Sequence, residues 1–258
     1  MSKATRSRTT TAHPALPASK VAPLASTGAT AVVVGVGPGL GVALVNRFVA
    51  EGYTVLAAAR SAAVEKLRFE QGPGRALPMR CDATDPGDVD ALFARSEEQG
   101  ELAVAVFNAG TFERGDVVDT SPEDFERCWR VGCFGGFLVG RAAARLMVAR
   151  GRGTILFTGA TASLRGGAGF VNLASPKFAL RAVAQSMARE LGPRGVHVAH
   201  VIIDGQIRTP RYEHLVAERG PDSLLEPDAI ATAYLGLHRQ TRSAWTLELD
   251  LRPHVERF

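Results

Sequence analysis

Apolar residues in this chain fall in short continuous runs, with little strict alternation. The runs at 31–34, 53–59, 76–81, 102–107, 154–158, 196–203 and 245–251 are rich in Val, Leu, Ile and Ala. The first of these, 31–34, reads as a strand buried on both faces, and the others read as strands of the same sheet. Helical spacing fills much of the space between them. In 42–50 the residues Leu44, Val45, Phe48 and Val49 share one face. A helix over 85–99 opens at Asp85-Pro86. A long one over 122–150 starts at Ser121 with Asp124 three residues on. A fourth covers 174–191 and stops at Gly192-Pro193, and a last one covers 228–240. The stretch 206–227 follows neither period and reads as irregular. Strands alternating with helices from end to end predict an α/β fold, a doubly wound parallel sheet with helices on both faces. No internal repeat or second domain is visible.

Composition fits one such domain: 258 residues, 46% hydrophobic and 22% charged. No apolar run reaches membrane-span length, so no membrane partner is expected. The formal net charge is +4, and Lys3, Arg6, Arg8 and Lys20, in a segment 1–27 without acids, account for all of it. The basic balance therefore belongs to that segment and gives no reason to expect a nucleic-acid partner. The segment reads as a disordered leader, with an organelle transit peptide as the sharper alternative. The domain is expected over 28–258. Cys81, Cys128 and Cys133 lack metal-type spacing and read as reduced residues of a cytoplasmic protein. The six histidines show no paired spacing either, so no metal is expected.

The chemistry gathers where strands end. Gly35, Gly37, Gly39 and Gly41 stand between the first strand and a helix. That turn aims backbone N–H groups and a helix N-terminus at one point, which suits a diphosphate. Asp82 follows the third strand, Asn108-Ala109-Gly110 the fourth, and Ser175-Pro176-Lys177 lies in a helix after the fifth. Together these resemble the short-chain dehydrogenase/reductase family over residues 28–251. The resemblance implies a Rossmann-type domain with a seven-stranded parallel sheet, assembled as a homodimer or homotetramer. It also implies reversible hydride transfer between NAD(P) and the alcohol/carbonyl pair of a small-molecule substrate.

It further implies the cofactor contacts. Gly35, Gly37, Pro38, Gly39, Leu40 and Gly41 form the diphosphate loop, with Val34 where the family usually has Thr. Asp82, with Ala83 beside it, accepts from the adenine amino group. Asn108, Ala109 and Gly110 close the floor under the adenosine ribose. Gly205, Ile207 and Thr209 belong to the segment at the nicotinamide amide, with Thr209 as donor. At the end of the second strand an NAD-selective site carries a carboxylate. Here Ala59 and Arg60 stand there, and a guanidinium pairs with a 2′-phosphate. NADP(H) is therefore expected over NAD(H).

The catalytic pattern departs from the family. Counting back from Lys177, the Tyr position is Leu173, the Ser position Ala160 and the Asn position Gly132. Lys177 is retained, in a chain that uses Arg for 26 of its 30 Lys and Arg residues. Neither Tyr53 nor Tyr234 reads as placed for catalysis, which leaves Tyr212. Replacement hydroxyls are sought at Thr161 and Ser163, just past Ala160, and further candidates are Thr158, Asn172, Ser175, Asp204, Arg208 and His214. Arg208, Arg211 and Arg219 on 206–227 would favour an anionic substrate. Three readings remain open: an oxidoreductase with an altered catalytic set, a non-redox nucleotide-binding protein, and a lyase or isomerase reusing the pocket.

Overall fold

The structure is a computed structural model and describes residues 28–256; the segment 1–27 lies outside them. Seven parallel strands form one sheet in the order β3-β2-β1-β4-β5-β6-β7. They are β1 Ala29–Val34, β2 Thr54–Ala59, β3 Arg75–Arg80, β4 Glu101–Phe107, β5 Gly153–Thr158, β6 Val196–Ile203 and β7 Glu248–Leu251. β1 and β6 are buried along their whole length, which explains why their sequences run apolar without alternation. β1 pairs with β2 through Val33 and Ala57, and with β4 through Val33 and Val106. The strand order reverses between β1 and β4, so a crevice opens beyond their C-terminal ends.

Helices cover both faces. On one face α1 (Leu40–Ala50) and α7 (Pro227–His238) supply Leu44, Phe48, Ile230 and Leu235 to a core with β1 and β6. On the other, α2 (Pro86–Gln99), α4 (Gly135–Arg150) and α5 (Val171–Leu191) bury Leu92, Val139 and Leu180. The caps read from sequence are present. Asp85 accepts from the Asp88 N–H at 2.9 Å, and Ser121 accepts from the Asp124 N–H at 3.1 Å.

The differences have local causes. The helix expected over 122–150 is α3 (Pro122–Trp129), a π turn Arg130–Phe134, then α4. By length and composition alone the whole stretch could cross a membrane, although it holds no continuous apolar run of that length. Its apolar residues are accounted for by packing: more than half of its most apolar window is buried inside the fold, as in a core helix. The stretch 206–227 is not wholly irregular. It holds a 3-10 turn Pro210–Tyr212 and α6 (His214–Arg219), and it closes on itself through Leu225 N–H to Gln206 O at 2.9 Å. β7 starts later than expected because Trp245 stacks on His197 at 5.0 Å, and Thr246 O lies 2.8 Å from His197 Nε2.

Candidate functional site

Gly35 turns the chain at the end of β1 with φ +93°. A Cβ there would lie 2.3 Å from the Ala109 backbone nitrogen, so only glycine lets the loops after β1 and β4 touch. The contact is secured by Asn108, whose Nδ2 donates to Gly35 O at 2.9 Å. Gly39 is the N-cap of α1 and offers no side chain to its free N–H groups. A Cβ on Gly37 would meet nothing within 4 Å. The loop thus presents open space, bare amides and a helix N-terminus, and the donor set fits a diphosphate. Thr209 reaches over the same loop: a Cβ on Gly39 would lie 3.3 Å from its methyl group.

Two hollows flank this loop. The first is lined by Ala59, Arg60, Asp82, Ala83, Asn108, Ala109 and Gly110 among others. Asp82 Oδ1 accepts from both the N–H and the hydroxyl of Thr84, at 2.9 and 2.8 Å. Burial alone would raise its carboxyl pKa; the Thr84 bonds, with Arg60 and Arg130 nearby, overrule it and hold the group below its usual range. Asp82 is therefore an ionised acceptor. Arg60 is exposed and forms no ion pair among the described residues.

The second hollow is lined by Gly37, Pro38, Leu40, Gly41, Lys177, Gly205 and Ile207, with Thr158 and Ala160 on its β5 side. Lys177 is its one ionisable lining side chain among the described residues. It is 7% exposed and donates to Thr158 O at 2.7 Å. Burial pushes its pKa down to about 8.

The positions that the resemblance assigns to the absent groups are Leu173, Ala160 and Gly132. A Cβ at Gly132 would come within 2.8 Å of Pro176 Cβ. The π turn and α5 approach closely there, and the Pro176 ring takes the room a side chain would need. Glycine at 132 and proline at 176 are thus one packing solution.

The replacement hydroxyls are not free. Ser163 is fully buried; its Oγ accepts from Ala160 N–H at 3.2 Å and lies 3.3 Å from His200 Nε2. Burial, then the Lys177 charge, brings the His200 pKa down to about 4, so that ring is neutral. Thr161 donates to the buried carboxylate of Asp204, whose other oxygen meets Arg252 Nη1 at 3.2 Å. Tyr212 lies under the Arg211 guanidinium, 5.4 Å away, outside the lining of either hollow. Arg208 is already engaged by two carboxylates, those of Glu213 and Glu226. Tyr234, read as remote, comes close: its hydroxyl lies 2.8 Å from Thr158 Oγ1. The two residues are 76 positions apart, and no local signal pairs them.

Residues 29–220 match the short chain dehydrogenase family. A short-chain dehydrogenase/reductase of Armillaria gallica is 32% identical over 219 residues, 82% of this chain and 84% of its own length. The 3-oxoacyl-acyl-carrier-protein reductase MabA of Mycobacterium avium is 31% identical over 179 residues, 69% of this chain and 67% of its own. A solved short-chain dehydrogenase from Rhodopseudomonas palustris is similar at TM-score 0.75 and 41% identity, over 88% of this chain and 99% of that one. With the bare glycine loop, the ionised Asp82 and the buried Lys177 all beyond the C-terminal ends of the strands, these matches fix the assignment: the chain belongs to the short-chain dehydrogenase/reductase family.

Proposed function

We propose that this protein is an NADP(H)-dependent oxidoreductase that interconverts a small-molecule carbonyl compound and its alcohol, with Lys177 as the proton source. The observation that carries the reading is the isolation of Lys177 as the one ionisable group lining the second hollow among the described residues. Bound NADP(H) supplies the hydride. The glycine loop and the α1 N-terminus hold the diphosphate, and Asp82 accepts from the adenine amino group. Lys177 bonds the nicotinamide ribose and keeps a proton available at Nζ. A pKa of about 8 leaves that proton mobile near neutral pH. Ala160 lines the hollow and contributes shape only, and neither it nor Leu173 can move a proton or hold an oxygen.

Arg60 supports NADP(H) over NAD(H). It lines the first hollow beside Ala59, forms no ion pair among the described residues, and suits a 2′-phosphate in charge and donor geometry. Titration of NADPH and NADH against wild type and Arg60→Ala tests this. NADPH should bind more tightly, and the variant should lose most of the difference. Equal affinities in wild type, or an unchanged preference in the variant, would refute the assignment.

Assembly as a homodimer or homotetramer is part of the same reading. Phe125, Trp129, Phe137 and Phe178 are exposed on α3, α4 and α5, and a second copy would cover such a face. Light scattering on the purified chain gives the mass directly.

A further inference from the structure

Thr158 ends β5 and carries two contacts. Its carbonyl takes the Lys177 ammonium, and its hydroxyl meets Tyr234 at 2.8 Å. Tyr234 is 0% exposed, and Thr158 Oγ1 is its one hydrogen-bond partner among the described residues. The direction of that bond follows from satisfaction. Were Thr158 the donor, the phenolic proton would be buried without an acceptor, a costly arrangement. Tyr234 is therefore the donor, and burial keeps its phenol protonated. The Thr158 proton then remains to be given. Thr158 is 7% exposed and lines the second hollow, which is the open space beside it where an acceptor can be placed.

The other polar side chains lining that hollow are engaged or charged. Asn108 donates to Gly35 O, Gln206 Nε2 donates to Ile207 O at 3.3 Å, and Lys177 is the ammonium. Leu40, Ile203 and Ile207 supply apolar surface for a flat ring. The hollow thus offers apolar surface for a planar ring and, at its β5 side, a neutral hydroxyl whose proton has no acceptor among the described residues; such a donor suits a carbonyl oxygen.

We infer that Thr158 donates a hydrogen bond to the carboxamide oxygen of the nicotinamide, and that Tyr234 is the positioning residue that turns the Thr158 proton toward it. The inference rests on the proposed function, which makes this hollow the nicotinamide end. It adds a cofactor contact from β5 and a role for a tyrosine on α7.

The test compares two ligands by calorimetry on the whole chain: NADP⁺, and 2′,5′-ADP, which lacks the nicotinamide. Thr158→Val should weaken NADP⁺ by about 3- to 10-fold, the range of one neutral hydrogen bond, and leave 2′,5′-ADP unchanged. Thr158→Ser should restore wild-type NADP⁺ affinity. Tyr234→Phe should give a smaller loss, again confined to NADP⁺. Thr158→Val strands the buried phenol, so Thr158→Val/Tyr234→Phe, which removes both partners, guards against misfolding and should keep the selective loss. Equal losses for both ligands, or none for either, would overturn the inference. Wild type binding neither ligand would instead overturn the cofactor reading itself.

Discussion

Replacing Lys177 by Met should change how the stability of the apo protein depends on pH. The ammonium is 7% exposed and its pKa falls from 10.5 to about 8 through burial. Below about pH 8 both folded and unfolded chains carry the proton, so the fold bears the full cost of a buried charge. Between about 8 and 10.5 the folded chain sheds the proton while the unfolded chain keeps it, and the cost is relieved. Stability from this residue therefore rises with pH in that window. A shift of this size is worth about 3 kcal/mol, of which about 2 to 3 should be recovered by about pH 10. The assay is urea unfolding of wild type and Lys177→Met near pH 7 and near pH 10. The wild-type value minus the variant value should rise by about 2 to 3 kcal/mol between them. Taking the difference removes the titration of other groups, including Cys81, which burial pushes up to about 12. A difference that stays constant would refute the depressed lysine and, with it, the poised proton.

Two further outcomes follow from the same cleft. Gly132→Asn should destabilise by about 1–3 kcal/mol through overpacking against Pro176, and Pro176→Ser should recover much of that, so thermal melts of the four-member cycle should show strong coupling; additive effects would mean the two sites are independent. Leu173→Tyr and Ala160→Ser together should raise carbonyl reduction out of proportion to either alone, measured as NADPH consumption; a double variant no better than the singles would undo the alignment of these positions.

Much of the fold was legible because its information is local. A central parallel strand must be apolar on both faces, and β1, β4 and β6 announce themselves that way. Asp85 and Ser121 mark helix starts for reasons confined to one turn. The π turn at Arg130–Phe134 left no such trace; the contact it makes, Gly132 against Pro176, joins residues distant in the chain. The site divides in the same way. Gly35, Asp82 and Asn108 were readable from their places after strands. What Arg208 and Tyr234 do was not, because Glu226 and Thr158, which pair with them, lie 18 and 76 positions away. Arg208 looked free until Glu226 was brought to it, and Tyr234 looked remote until α7 packed its hydroxyl against Thr158. Ser163 looked available because nothing local shows that His200 closes over it.

The central claim is that Lys177 supplies the proton for an NADPH-dependent reduction. The most direct measurement is kcat for that reaction against pH, from about 6 to about 10, over a panel of carbonyl compounds. A plateau below about pH 8 and a tenfold fall per unit above it is the expected profile, abolished in Lys177→Met. A rate still flat at about pH 10, or tight NADPH binding with no carbonyl on the panel reduced, would contradict the claim.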